Sequence, residues 1–251
     1  MENIDLNGAI LKVNIKPQPD DVTCGPTCLH AVYNYYHDII SIEEVVRQVQ
    51  QLKSGGTLGV MLGTHALQRG YDVTIYTYNL HIFDPSWFND PKIDLSGKLA
   101  EQMLHKNSQR IVFASRAYIE YLNLGGKIKF EELTVKLLKK YLTKKTLILT
   151  GLSATYLYRS QREIGETNQY HDIEGEPAGH FVVINGYSKA TREAYIADPL
   201  NPNPMADSQH YKVGVERLLN AILLGIVTYD ANLLIIKPKH FKAQHAETNH
   251  H

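Results

Sequence analysis

The sequence predicts an α+β fold, with helices gathered in its first part and an antiparallel sheet after them. Three observations lead there. Apolar residues recur at helical spacing in most segments before residue 145. Residues 180–187 and 193–197 read as adjoining strands joined by a turn at 188–192, which is a hairpin pattern. No internal repeat or low-complexity stretch interrupts this order of helices first and strands later.

Taken in order, residues 11–15 alternate weakly and suit a short strand leading to a loop at 17–23. Residues 24–37 carry Leu29, Val32, Tyr33 and Tyr36 at helical spacing. Pro26 is tolerated there only within the first turn, where its missing N–H leaves no bond unmade. It therefore sets the helix start at Cys24. A second helix begins after Ser41, because Ser41-Ile-Glu-Glu44 has the capping-box pattern, and runs to about residue 52. Gly55-Gly56 breaks the chain, and a third helix covers about residues 58–69, with Gly70 as its left-handed cap. Residues 73–78 read as a strand; 94–107, 116–122 and 130–142 read as helices. Residues 146–152 are nearly all apolar and suit a central strand, and 153–178 read as a long loop without period, of the functional or mobile kind. After the hairpin come a Pro/Asn-rich loop at 198–204, a helix over 213–224 ending at Gly225, and a closing strand over 231–236.

Composition narrows the function. The 251 residues are 43% hydrophobic and 21% charged, as in ordinary globular proteins. Lys+Arg 26 balances Asp+Glu 26, and the one dense basic stretch, 136–145, sits on a solvated helix end. Nucleic acid is not an expected partner. No run of 18 apolar residues and no signal-peptide pattern occurs, so no membrane span and a cytoplasmic location are expected, with signal-less export still compatible. With two cysteines four residues apart, no disulfide framework is expected. Residues 1–238 read as a single domain with two lobes, roughly 1–145 and 146–238, followed by a polar, His-rich flexible tail at 239–251.

Four residues carry the chemistry. Gln18 precedes Cys24 by six residues, and Gly179-His180-Phe-Val-Val and Ala197-Asp198-Pro follow much later. A thiol attacks only as thiolate, and a free cysteine has a pKa of about 8.5. First-turn N–H groups and the helix dipole favour a negative sulfur at Cys24. His180 can hold the proton and return it to a leaving group. Asp198 follows at the end of the hairpin partner, where it can fix the imidazole tautomer. Gln18 and the Cys24 N–H are of the right type to bind an oxyanion.

These blocks resemble the papain-like superfamily of cysteine peptidases. Within it they are most similar to the bacterial peptidases that process double-glycine bacteriocin leaders (peptidase C39-like) and their stand-alone relatives. Gly56-Thr57-Leu58-Gly59, Ala66-Leu67 and Gly70-Tyr71 add to the likeness. The resemblance implies a papain-like fold and amide hydrolysis through a thioester. It implies Cys24 as nucleophile, His180 as base, Asp198 as orienter and Gln18 as oxyanion donor. The substrate would be a peptide or protein, with no cofactor and no metal. Residues 80–145 have no counterpart in the pattern, and neither a transporter's membrane part nor its ATPase part is present. The spacing from His180 to Asp198 also resembles phytochelatin synthases, so an acyl transferase using the same site is the alternative. A non-catalytic peptide-binding module is the reading from another class.

The remaining motifs have plainer readings. Cys28, one turn into the helix, suits buried packing. His171 is a rival base, but it lies in the long loop without a strand to hold it. Tyr156, Tyr158 and Tyr170 flank that loop and are cleft-lining candidates. No histidines pair with Cys24 and Cys28 at zinc-ligand spacing.

Overall fold

The computed structural model describes residues 10–52, 55–165, 167 and 169–239. The first half of the chain contains α1 (Cys24–Tyr35), α2 (Ile42–Gln48), α3 (Gly59–Gln68), β1 (Tyr71–Thr77), α4 (Leu95–His105), α5 (Gln109–Asn123), β2 (Lys127–Lys129) and α6 (Val135–Leu142). The second contains β3 (Ile148–Ser153), α7 (Ala154–Tyr158), β4 (Glu163–Ile164), β5 (Gln169–Tyr170), β6 (Gly179–Ser188), β7 (Glu193–Ala197), β8 (His210–Gly214), α8 (Val215–Leu224) and β9 (Asn232–Pro238). Short 3-10 turns lie at Pro85–Phe88 and Gly225–Thr228.

The fold is α+β, as the residue pattern indicated. Its sheet has seven strands in the order β2-β1-β9-β3-β6-β7-β8. Only the β1–β2 pair is parallel; β9 runs antiparallel to both β1 and β3. The sheet is thus less confined to the second half than the pattern suggested. The chain's closing strand returns to its middle, between a strand from each half, and one sheet runs through both.

Local chemistry explains most element boundaries. Ser41 Oγ accepts the Glu44 N–H at 3.1 Å, the cap its sequence indicated. α2 nevertheless stops at Gln48 rather than near residue 52, because Val49 turns extended and is buried in the core. Gly70 ends the α3 segment at φ +88°, a conformation open to glycine without steric cost. Residues 130–134 are not helical. Phe130 and Leu133 mimic a helical repeat, but Thr134 Oγ1 caps α6 by accepting the Leu137 N–H at 3.2 Å. Phe130 stacks instead on Phe88, ring centroids 5.4 Å apart.

Three further expectations change. Residues 11–15 form no ladder strand; the Leu11 N–H donates to the Asn185 carbonyl of β6 at 2.8 Å, and Leu11, Val13 and Ile15 are buried. Residues 153–178 are not a plain loop. They hold α7, capped by Ser153, and the two-residue strands β4 and β5, all too short to show a period. β8 was absent from the pattern because only Tyr211 and Val213 alternate in it, and Val213 belongs to this strand rather than to α8. The expected tail lies outside the described residues, apart from Lys239.

The core is unusually rich in tyrosine, and burying a phenol is costly unless its hydroxyl finds a partner. Tyr33 meets His65 Nδ1 at 2.8 Å, Tyr76 meets the Tyr141 hydroxyl at 2.6 Å, and Tyr121 donates to the Val73 carbonyl at 2.9 Å. Asp230, just ahead of β9, accepts the Gly59 N–H at 2.8 Å and so ties the sheet to the start of α3. Its burial raises that carboxyl's pKa to about 7.

Candidate active site

Cys24 is the first residue of α1 and is half-buried, while Thr23 before it and Gly25 after it are buried. Thr27 donates back to the Thr23 carbonyl at 3.0 Å and closes the first turn. The Cys24 N–H lies in that turn, where no intrahelical carbonyl can take it. α1 reaches the sheet because Gly25 has no side chain. A Cβ there would meet the Thr57 methyl at 2.7 Å and the Phe181 ring at 3.2 Å. One turn on, the Cys28 thiol donates to the Phe181 carbonyl at 3.2 Å and is fully buried. Cys28 is thus a packing residue that fastens α1 to β6, as expected.

His180 is the second residue of β6. The register Val183↔Ala197 between β6 and β7, carried one step further, sets Asp198 opposite Val182 and diagonal to His180. His180 Nε2 and Asp198 Oδ1 are 2.8 Å apart, with exposures of 7% and 0%. Asp198 holds that ring nitrogen, and the Cys24 sulfur lies near enough to the ring to act on its charge. Burial opposes the imidazolium, but the Asp198 carboxylate, the Cys24 sulfur and the hydrogen bonds to both outweigh it, raising the His180 pKa from 6.5 to about 10. Burial also opposes the Asp198 carboxylate, yet the His180 ring and the hydrogen bonds hold its pKa near 2.

Two further groups complete the Asp198 shell, one expected only as a cleft-lining candidate and the other not singled out by the sequence. Tyr158 from α7 and Tyr211 from β8 both donate to Oδ2, at 2.7 and 2.8 Å. Oδ1 also accepts the Leu200 N–H at 3.0 Å. Burial pushes the phenol pKa of both tyrosines well up, so both stay O–H donors. The signal for Tyr211 lay only in register, since it pairs with Ile196, two residues before Asp198. Tyr211→Phe is expected to cost about 1.5–3 kcal/mol of stability, the range for a hydrogen bond to a charged group. A urea unfolding midpoint checks this.

Gln18 is brought to the same place. Its N–H donates to the Pro199 carbonyl at 2.9 Å, which pins the loop ahead of α1 beside the residues following Asp198. Its side-chain nitrogen donates to the Asp20 carbonyl at 2.8 Å. An amide nitrogen carries two hydrogens, so one remains. His171 stands apart: its Nδ1 accepts the Ile173 and Glu174 N–H groups and shapes a turn. Of the three flanking tyrosines, Tyr158 and Tyr170 line a cavity with Gln18 and His180, whereas Tyr156 meets Asn220. Among the described residues no three His, Cys, Asp or Glu side chains converge as metal ligands, and no helix is long and apolar enough to cross a membrane.

The arrangement sets an imidazole against a buried carboxylate, on the strand that packs against the helix beginning with Cys24. Comparison with known proteins adds the following. The family model described as the Peptidase_C39 like family matches residues 10–220. Among solved structures, the chain is similar to a Bacillus anthracis protein described as a C39-like peptidase, with 14% identity and a TM-score of 0.50 over 91% of this chain and 96% of that one. It is also similar to the peptidase domain of Streptococcus ComA, a bi-functional ABC transporter involved in a quorum sensing pathway (14%, TM-score 0.43, covering 91% and 99%). A double glycine motif protease from an AMS/PCAT transporter, solved with its leader peptide, aligns at 16% identity and TM-score 0.43, covering 92% and 94%. At such identities the likeness is one of fold. No curated protein matches the sequence.

Proposed function

Since the chain belongs to the Peptidase_C39 like family, we propose that it is a cysteine peptidase that hydrolyses amide bonds through a Cys24–His180–Asp198 triad. The observation that carries this is the 2.8 Å bond from His180 Nε2 to Asp198 Oδ1, with the Cys24 sulfur near enough to the same ring to raise its pKa. Family membership and the peptidase fold support it.

The steps follow from the groups present. The Cys24 sulfur, as thiolate, forms a bond to the substrate carbonyl carbon, and the carbonyl oxygen becomes an oxyanion. The Cys24 N–H and the second N–H of the Gln18 amide receive it. The C–N bond then breaks, and His180 passes its Nδ1 proton to the departing amine. This leaves the acyl group on sulfur as a thioester. Water adds to the thioester carbon while His180 takes its proton. The C–S bond breaks, releasing the acid and restoring the thiolate–imidazolium pair. Asp198 touches no substrate atom in this scheme. It holds the ring so that Nδ1 faces sulfur. The substrate is a peptide or protein, and the chain up to residue 238 acts as one domain, a reading supported by the sheet that joins both halves.

Alkylation by iodoacetamide, followed by peptide mapping, tests the pair. With the His180 imidazolium beside it, Cys24 is expected to be alkylated at neutral pH faster than a free model thiol. His180→Ala should remove that advantage, and buried Cys28 should stay unmodified in both proteins. An ordinary-thiol profile at Cys24, unchanged in His180→Ala, would overturn the proposal.

A further inference from the structure

A cavity of about 250 Å3 opens beside His180, on the side of β4 and β5. Its polar lining comprises Gln18, Asp21, Tyr158, Glu163, Tyr170 and His180 itself, with no lysine or arginine. We propose that this cavity is a substrate subsite for a cation, and that the ammonium or guanidinium of a lysine, an arginine or a free amino terminus is recognised there, with Glu163 as its counter-charge. The inference rests on the reading of Cys24 and His180 as the reacting pair, since it is His180 that makes the cavity part of the substrate's path.

Three features favour a cation over a neutral or anionic group. First, the lining is rich in acceptors. Asp21 and Glu163 bring two carboxylates to it, and His180 is its one side chain able to carry positive charge. Second, Glu163 is half-buried and none of the hydrogen bonds or ion pairs of the described residues reaches its carboxylate. Burial and the neighbouring Asp21 raise its pKa, while His180 acts in the opposite sense. A cation bound beside Glu163 would supply the counter-charge that its burial calls for. The positive charge of His180 does not do so alone, because Asp198 already matches it at 2.8 Å. Third, the rings of Tyr158 and Tyr170 are the aromatic surface of the cavity, and aromatic faces attract cations. Glu163 is held for this by its backbone, which bonds to both ends of Glu176, at 3.0 and 2.9 Å.

The test uses three methanethiosulfonates on the whole chain: aminoethyl (cationic), methyl (neutral) and sulfonatoethyl (anionic). Each transfers its thioalkyl group to the Cys24 thiolate and releases methanesulfinate. Rates at Cys24, each divided by the rate with a free model thiol, should favour the cationic over the anionic reagent by about tenfold or more, as a nearby unit charge at intermediate dielectric would produce. Glu163→Gln should reduce that ratio several-fold, a change common to all three reagents cancelling in the ratio. Glu163→Asp should restore much of it, and Glu174→Gln, on the same excursion but outside the cavity, should leave it unchanged. Equal ratios in the wild type and Glu163→Gln, with the neutral reagent still reacting, would overturn the subsite and leave the peptidase reading standing. Failure of Cys24 to react with any of the three would overturn the thiolate reading and this inference with it.

Discussion

Cys24→Ala is expected to abolish turnover, lowering kcat/KM on any peptide the protein cleaves by roughly 10^5-fold or more, the scale of removing a nucleophile that works as a unit with its base. No second thiol can substitute. Cys28 is fully buried and its hydrogen goes to the Phe181 carbonyl at 3.2 Å. The loss should leave the fold intact, because Cys24 is half-exposed at a helix end and alanine suits the first turn. Mass-spectrometric analysis of a defined peptide pool reads the activity, and circular dichroism reads the fold. A folded Cys24→Ala protein that kept more than about a hundredth of the activity would remove Cys24 from the chemistry.

Asp198→Asn is expected to lower kcat by roughly 10^2 to 10^4 and to move the alkaline limb of the pH profile downward. The reason is tautomeric as well as electrostatic. Tyr158 and Tyr211 both donate into one side of the residue. An asparagine would therefore keep its oxygen there and turn its NH2 towards His180 Nε2. That nitrogen would become an acceptor and the ring proton would move to Nδ1, so the ring could not take a proton on the side facing sulfur. The charge argument runs the same way. The carboxylate is the largest influence raising the His180 pKa from 6.5 to about 10, against burial. Without it, burial acts with less opposition, the imidazolium is lost at lower pH, and activity should fall as pH rises through that lower value. A kcat profile across pH 5 to 11 reads both effects. A profile whose alkaline limb stays in place would show that Asp198 does not govern the ring.

The residues of the site were legible in the sequence to different depths. Pro26 alone sets the start of α1, because proline is tolerated only in a first turn, and the structure begins that helix at Cys24. The alternation of residues 180–187 and 193–197 gave a hairpin whose end faces its beginning, and the diagonal contact from His180 to Asp198 follows from it. Other features left weaker traces. Tyr158 could be seen only as one of three cleft-lining candidates near a loop, and Tyr211 not at all, because β8 is too short to show its alternation. The role of each depends on where its hydroxyl ends, which no local period encodes.

By itself, then, the sequence determined the local geometry of the protein: a thiol on a helix start, an imidazole on a strand, and a carboxylate brought to that imidazole by a hairpin. Each follows from backbone sterics and period acting over a few residues. Tertiary structure decided what these parts meet. The close approach at Gly25 and the Cys28–Phe181 bond dock α1 on β6, the strand that carries His180. The return of β9 between β1 and β3 joins the two halves. The excursion through β4 carries Glu163 to the cavity by His180. These contacts bring together residues far apart in the chain, and their positions follow from the packing of whole elements rather than from spacing along it.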